Sequence, residues 1–330
     1  MVERTQGSHH KVGTTKLEQS STTVAGIDTG KAFLDVALQD WPEGWRVTND
    51  PPGWRQLAAR FRTEGVGRVG IEASGGYERG VVAHLRAAGF EVVLHQPIQV
   101  RAFASMTLRR AKNDRLDARL IAAFTAMRAD TRAAPDPRLR AFADLLCFIE
   151  QAEEDMARAK TRLEHQPEPR LRRQIEADIA RAKSRRDREI LHLEKALRGH
   201  ADLGRRLDLV CSVPGIGLRT ALALVVAMPE LGTLSREQAA ALAGLAPFDR
   251  DSGKSHGARH IAGGRARIRT ALYAAALPAS YRWNKALVVM RERLAQRGKS
   301  HKQTMIACAR KLLIYANTVV QRDTPWVTDG

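Results

Sequence analysis

The chain is short of acid, of cysteine and of long apolar stretches, and each shortage closes off a class of protein. Its 330 residues hold 36 Asp and Glu against 54 Lys and Arg, a formal net charge of +18. Three cysteines occur, Cys147, Cys211 and Cys308, an odd count with no CxxC spacing. That pattern argues against a disulfide framework and against a zinc ribbon, and it fits a reducing cytoplasm. No apolar run approaches the length of a membrane span; the best, ALALVVAM at 221–228, is far too short. The opening MVERTQGSHHKVGTTKLEQSSTT is polar and lacks the apolar stretch of a secretory signal. Residues 1–21 read as a disordered lead and 323–330 as a tail.

What is abundant is arginine-led positive charge. A surplus this large calls for a polyanionic partner, and the guanidinium fork suits bidentate phosphate contact. Nucleic acid is the partner expected, with binding that weakens steeply as salt rises, because each neutralised phosphate releases counterions.

Four of the scarce acids stand in a telling order. Asp28 ends the apolar run VAGID, Glu72 ends VGIE, and Asp114 and Asp117 sit in AKNDRLDAR at the head of an apolar-periodic segment. The runs rich in Val and Ile read as buried strands. On a helix, residues three apart lie roughly 60° apart around the axis and about 4.5 Å along it, so Asp114 and Asp117 can face one point. Carboxylates gathered from two strand ends and a helix repel one another and hold their protons more tightly. A hard divalent cation such as Mg²⁺ removes the conflict, and paired ions of this kind serve phosphodiester chemistry. Taken singly, each acid also fits a plainer role: Asp28 as a turn residue, Asp114 as a helix cap, Asp117 as a first-turn partner of the helix dipole. The order strand-Asp, strand-Glu, helix-DxxD carries more than any one position.

Around these acids the pattern predicts three strands in a meander (VAGID, AFLDVAL and WRVTN). Pro51, Pro52 and Gly53 punctuate, and a helix follows to about residue 62. Then come a strand at 68–72, a helix over 76–88, a strand in EVVLHQ, a short helix to 105 and a long one over 114–128. This is α/β with a mixed sheet, the element order of an RNase H-like fold, over 22–134. Pro135 and Pro137 mark a boundary, and 135–200 is helical and densely charged in both signs. HQPEPR at 165–170 breaks it into an antiparallel hairpin, a coiled-coil arm for dimerisation, for gripping nucleic acid, or simply a spacer.

A mainly α C-terminal domain is expected over 201–322. It opens with Pro214-Gly215-Ile216-Gly217 ahead of an apolar helix, a helix-hairpin-helix type turn. Gly215 and Gly217 can let backbone approach a phosphate at a helix N-terminus, or simply let two helices pack. SREQAAALAGL reads as a helix with Ser235 and Gln238 forming a capping box. FDRDSGKSHGARHIAGGRARIRTALY is too polar for core. There Ser252-Gly253 is expected in a flexible loop among Arg250, Lys254, Arg259, Arg265, Arg267 and Arg269, with Ser255, His256 and His260 nearby. A serine among arginines can attack a phosphodiester while guanidinium groups stabilise the developing charge. Ser-Gly is also a common turn, and arginines also simply hold DNA.

With these residues in view the chain resembles the DEDD-type insertion-sequence transposases, the group of bridge-RNA-guided serine recombinases. The matching segments are GIDTGKAFLDVAL, GIEASGGY, NDRLDARLIA, VPGIGLRTA, AALAGLAP, DSGKSHG and GRARIRTALY, covering roughly residues 22–320. The four acids and Ser252 stand where the family has them; the N-terminal lead lies outside the match, and the proline-rich break in the arm is a local departure. The resemblance implies a RuvC-like N-terminal domain, a coiled-coil arm and a C-terminal transposase domain. It implies Mg²⁺ held by Asp28, Glu72, Asp114 and Asp117, and a phosphoserine link formed by Ser252. It also implies double-stranded donor and target DNA as substrates, a structured noncoding guide RNA as partner, and a dimer or tetramer with composite active sites. A metal-dependent nuclease or junction resolvase without a covalent intermediate, and a non-enzymatic nucleic-acid-binding scaffold, are the competing readings.

Overall fold

Three strands open the first unit as a meander: β1 Thr23–Thr29, β2 Phe33–Leu38 and β3 Trp45–Thr48. The computed structural model describes residues 23–107, 114–128, 136–248, 251–252, 255–256 and 260–327. The side chains of 114–116, 248, 251, 252, 255 and 256 lie outside that description, as do the expected lead and Arg250, Lys254 and Arg259. The chain divides into two compact units at the 134/135 peptide bond.

Helix α1, Pro51–Thr63, follows the meander. Pro51, Pro52 and Gly53, expected to precede the helix, are its first turn. Asp50 caps them by accepting from Gly53 N at 2.9 Å. Proline suits this place because its ring presets φ and the missing N–H would have no helical partner. The unit continues with β4 Val66–Glu72, α2 Arg79–Ala87, β5 Glu91–His95, α3 Pro97–Met106 and α4 Asp114–Met127. The sheet order is β3-β2-β1-β4-β5. Strands β1, β2 and β3 pair antiparallel, and β4 and β5 run parallel to β1. That is the mixed five-stranded sheet of an RNase H-like domain.

Side chains alternate across the sheet, and each face has its own cover. Ala25, Ile27, Leu34, Val36, Val69 and Ile71 join Leu57 and Phe61 of α1 and Val81 and Leu85 of α2 in one apolar core. The opposite face belongs to α4. A side chain on Gly26 would run into the backbone of Ala118 and Ala122, and one on Gly70 into the Thr125 side chain. These two glycines let the helix lie directly on β1 and β4, with Asp117 next to the residue that covers Gly26.

The second unit is helical. Helices α5 Arg138–Glu164 and α6 Pro169–Arg198 form the antiparallel hairpin. Its base and its shaft differ. Leu139, Phe142, Leu146, Ile149, Leu193 and Leu197 share one core with the helices that follow. Farther out only Ala152, Met156 and Ala159 of α5 are buried, and no residue of α6 before Leu193 is. Then come α7 Ala201–Cys211, α8 Leu218–Ala227 and α9 Arg236–Ala243. Ser235 and Gln238 form the expected capping box, and Gly244 ends α9 in the left-handed region. Residues 247–261 hold four two-residue strands: β6 Pro247–Phe248, β7 Asp251–Ser252, β8 Ser255–His256 and β9 His260–Ile261. Helix α10 Ala266–Pro278, a π-helical turn Ala279–Trp283, α11 Lys285–Gln296 and α12 His301–Gln321 complete the unit. Among the described residues no helix is long and apolar enough to cross a membrane.

Gly26→Ala tests how tightly α4 is seated. The added methyl meets helix backbone, which cannot rotate away, so we expect a loss of about 1–3 kcal/mol in urea unfolding. Gly65→Ala, where an added Cβ meets nothing within 4 Å, serves as control, its cost confined to the strain of φ +65°.

Candidate active site

Register places five polar residues in one row across the sheet, on the face that α4 covers. Ile27 pairs with Ile71, so Asp28 and Glu72 are the next residues on adjacent parallel strands. Asp28 pairs with Asp35 on β2, Asp35 with Arg46 on β3, and Glu72 with His95 on β5. The row therefore reads Arg46, Asp35, Asp28, Glu72, His95. Sequence reasoning found the two middle acids. It missed the flanks, although a charged residue inside the otherwise apolar FLDVAL was a signal for Asp35.

Each flank has its own chemistry. Asp35 is 6% exposed, and Arg46 donates to it through both arms, Nε to Oδ1 at 3.0 Å and Nη2 to Oδ2 at 2.8 Å. The fork cancels a third negative charge beside Asp28. At the other end His95 is fully buried, with its Nε2 2.7 Å from Thr125 Oγ1 of α4. Thr125 donates its own proton to Ile121 O at 2.6 Å, so His95 Nε2 is the donor in that pair. Burial, with the positive charges of Arg128 and Arg68, pushes the imidazole down to about 4, so it is neutral at physiological pH.

Glu72 feels the site directly. Burial raises its pKa above the ordinary value; Arg101 of α3 pulls it down, and the negative charge of Asp117 pushes it up again. Glu72 and Asp117 are thus electrostatic neighbours. The loop after Glu72 is fixed by Glu78, which accepts from Ser74 N at 3.0 Å and Gly76 N at 2.9 Å. Asp28, Glu72 and Asp117 are hard oxygen donors in partial burial, with a charge conflict at Glu72 that a divalent cation would relieve. Among the described residues no three His, Cys, Asp or Glu side chains gather closely enough to hold a metal ion by themselves. Asp114 begins α4, and its side chain lies outside the described residues.

In the second unit Ser252 is on a strand rather than in the flexible loop expected from Ser-Gly. It pairs with Ser255, and Asp251 pairs with His256. An outer pair, Pro247 with Ile261 and Phe248 with His260, closes the segment behind it. Backbone pairing, which sequence composition does not reveal, holds the serine's place. Two expected phosphate-binding arginines prove to be occupied in the fold. Arg265 donates to Glu230 at 2.6 and 2.7 Å and to Ala227 O at 2.9 Å. Arg267 pairs with Glu150 at 2.7 Å, and Glu150 also meets Arg219, which donates to Glu153 at 2.8 and 2.9 Å. The Arg267 and Arg219 pairs tie α10 and α8 to the base of α5, and the Arg265 fork ties the start of α10 to the end of α8 and the turn after it. At Gly215 φ is +97°, and a side chain there would strike Ala279. Gly217 caps α8 with open space around it.

Two consequences can be measured. His95 stays neutral when folded, whereas an unfolded histidine takes up a proton near 6.5. The depressed folded value makes its contribution full above pH 6.5 and lost progressively as pH falls toward 4. Stability should fall by about 2 kcal/mol between roughly pH 7.5 and 5, at up to about 1.4 kcal/mol per pH unit. His95→Gln should flatten that slope in urea titrations. Glu72 has the opposite sign: its raised value favours the fold at low pH, and the benefit is lost as pH rises through it. Glu72→Gln should therefore raise the melting temperature of metal-free protein at neutral pH, by roughly 1–3 °C, in scanning calorimetry.

Comparison with known proteins finds two transposase families, the first match running across the 134/135 boundary. Residues 25–166 match the transposase family of the DEDD IS110 type, and residues 207–289 match the transposase IS116/IS110/IS902 family. Pilin gene-inverting proteins of Moraxella bovis and Moraxella lacunata are each 27% identical to this chain, over 93% of it and 98% of their own length. A solved structure of T. thermophilus RuvC in complex with Holliday junction substrate is 22% identical over 32% of this chain and 94% of that one. Its TM-score of 0.26 is too low to carry an argument, and the fold assignment rests on the strand order and register. The acid row lies within the span of the first transposase match, and the second match lies wholly in the helical unit.

Proposed function

We propose that this chain is an IS110-type transposase that mobilises its own element by a covalent serine step supported by a Mg²⁺-binding acidic site. The observation that carries the reading is the placement of Asp28 beside Glu72 on the α4 face, with the charge of Asp117 felt at Glu72. Asp28, Glu72, Asp114 and Asp117 would hold the metal, which when bound supplies charge neutralisation and orientation of a scissile phosphate. Arg46 keeps the neighbouring Asp35 from adding a further repelling charge to that set.

Ser252 supplies the nucleophile. Its Oγ bonds to phosphorus, its proton passes to a nearby base, and a deoxyribose oxygen leaves. Arg250, Lys254 and Arg259 stabilise the charge that builds on the phosphoryl oxygens. The phosphoserine ester retains the energy of the broken bond, so attack by a new deoxyribose hydroxyl rejoins DNA without ATP. The substrates are double-stranded donor and target DNA. A structured noncoding RNA supplies sequence choice by base pairing, leaving the protein to read shape and backbone. The working form is a dimer or tetramer in the cytoplasm. The Moraxella relatives are named for inverting a gene, and likeness over nearly the whole chain supports a strand rearrangement of that kind.

A trapping assay tests the serine step. Protein, Mg²⁺, RNA from the element's flank and labelled junction DNA are mixed and resolved on a denaturing protein gel. The expected result is a DNA adduct that survives denaturation and is absent with Ser252→Ala. Cleavage without an adduct, unchanged by Ser252→Ala and lost in Asp28→Asn, would make this a metal-dependent nuclease instead.

A further inference from the structure

The π-helical turn between α10 and α11 displays two large aromatic side chains to solvent. Tyr281 is 54% exposed and Trp283 59%. The turn arises where Pro278 ends α10 without an N–H to give, and Asn284 N reaches five residues back to Ala279 O at 2.9 Å. It is fastened from beneath. Ser280 is fully buried, Ala279 packs on Gly215, and Asn284 Nδ2 donates to Pro214 O at 3.1 Å. Asn284 also caps α11 by accepting from Leu287 N at 3.2 Å. The backbone below is rigid and packed while the rings above are open, so these aromatics are not stray core residues.

Their surroundings are cationic. The Arg291 guanidinium lies 4.3 Å from the centre of the Tyr281 ring, held there by Ser280 O at 3.0 Å and Glu292 at 3.1 Å. Arg282 and Lys285 flank the rings and are exposed. From Tyr281 to Arg322 the chain has ten Lys and Arg and one acid, Glu292. So large a basic excess fits a polyanion and opposes its own copy, since a two-fold contact would set basic patch against basic patch.

We propose that Tyr281 and Trp283 form a stacking platform for unpaired bases of single-stranded DNA, with Arg282 and Lys285 on the adjoining phosphates. Aromatic faces bind bases only where these are out of the duplex, and each such contact weighs heavily in single-strand affinity. A transposase must free strands from one partner before they pair with another, so unpaired DNA arises in its own reaction. The inference rests on the proposed function only in taking DNA as the partner, and it is independent of the serine step.

The test is fluorescence anisotropy with full-length protein carrying Ser252→Ala, in EDTA, so that binding is read without cleavage. The probes are a labelled oligothymidylate of about twenty nucleotides, an oligouridylate of the same length and a matched duplex. Trp283→Ala should weaken oligothymidylate binding about tenfold and the double change with Tyr281→Ala roughly a hundredfold, with duplex binding within about twofold. Trp283→Phe should keep most of the affinity, whereas Trp283→Leu, apolar but without a π face, should behave as the alanine variant. The proposal is overturned if oligothymidylate binding survives the double change, if single strand and duplex weaken equally, or if only oligouridylate binding is lost. It is also overturned if Trp283→Leu restores affinity, or if the variants change oligomeric state while single-strand binding stays intact.

Discussion

Helix α4 can lie against the sheet because Gly26 and Gly70 put no side chain between them. Everything at the acid site follows from that approach. The helix brings Asp117 within electrostatic reach of Glu72, and it places Thr125 where His95 can donate to it. The face opposite, rich in Val, Leu and Ile, is an ordinary packed core with α1 and α2. The sheet is thus two-sided in chemistry as well as geometry: one side supplies burial, and the other accepts the repulsion of partly buried acids. Arg46 on Asp35 and the neutral state of His95 limit how much charge that second side must carry.

Positive charge is divided as well. The excess of basic residues invites the reading that arginines near Ser252 all face phosphate. Arg265, Arg267 and Arg219 instead satisfy Glu230, Glu150 and Glu153 inside the helical unit. Partly buried pairs of this kind are costly to break one-sidedly, because the remaining charge is left without a partner. The stretch poorest in acid lies later, around the π-helical turn and α11, where Glu292 stands among the basic residues.

Much of the fold was legible because its signals are local. Apolar runs in VAGID and AFLDVAL, the cap at Ser235 and the prolines at 167 and 169 each mark an element by short-range physics. The helix start at Pro51 was misplaced because proline signals both a break and a first turn, and Asp50 decides between them. The acids Asp28 and Glu72 were legible as strand ends, whereas their neighbours Asp35, Arg46 and His95 become neighbours only through register, a long-range property. The pairing of Ser252 with Ser255 was hidden for a related reason: two-residue strands have no periodicity to read. Arginine identity says nothing of partner, so Arg265 and Arg267 could be placed only once Glu230 and Glu150 were located.

The helical hairpin of α5 and α6 is built unevenly along its length. Leu146, Ile149, Leu193 and Leu197 are fully buried at its base, and the ion pairs of Glu150 and Glu153 bind it to α8 and α10. Toward the tip the two helices meet over Ala152, Met156 and Ala159 of α5 and residues of α6 that are only partly buried, such as Ile175 and Ile179. Local opening costs least where the fewest apolar contacts must be undone. The hairpin is therefore a graded spring, clamped at one end and compliant at the other. Strain applied at its tip would be absorbed by fraying of the outer turns before it reached the helices that carry the serine hairpin.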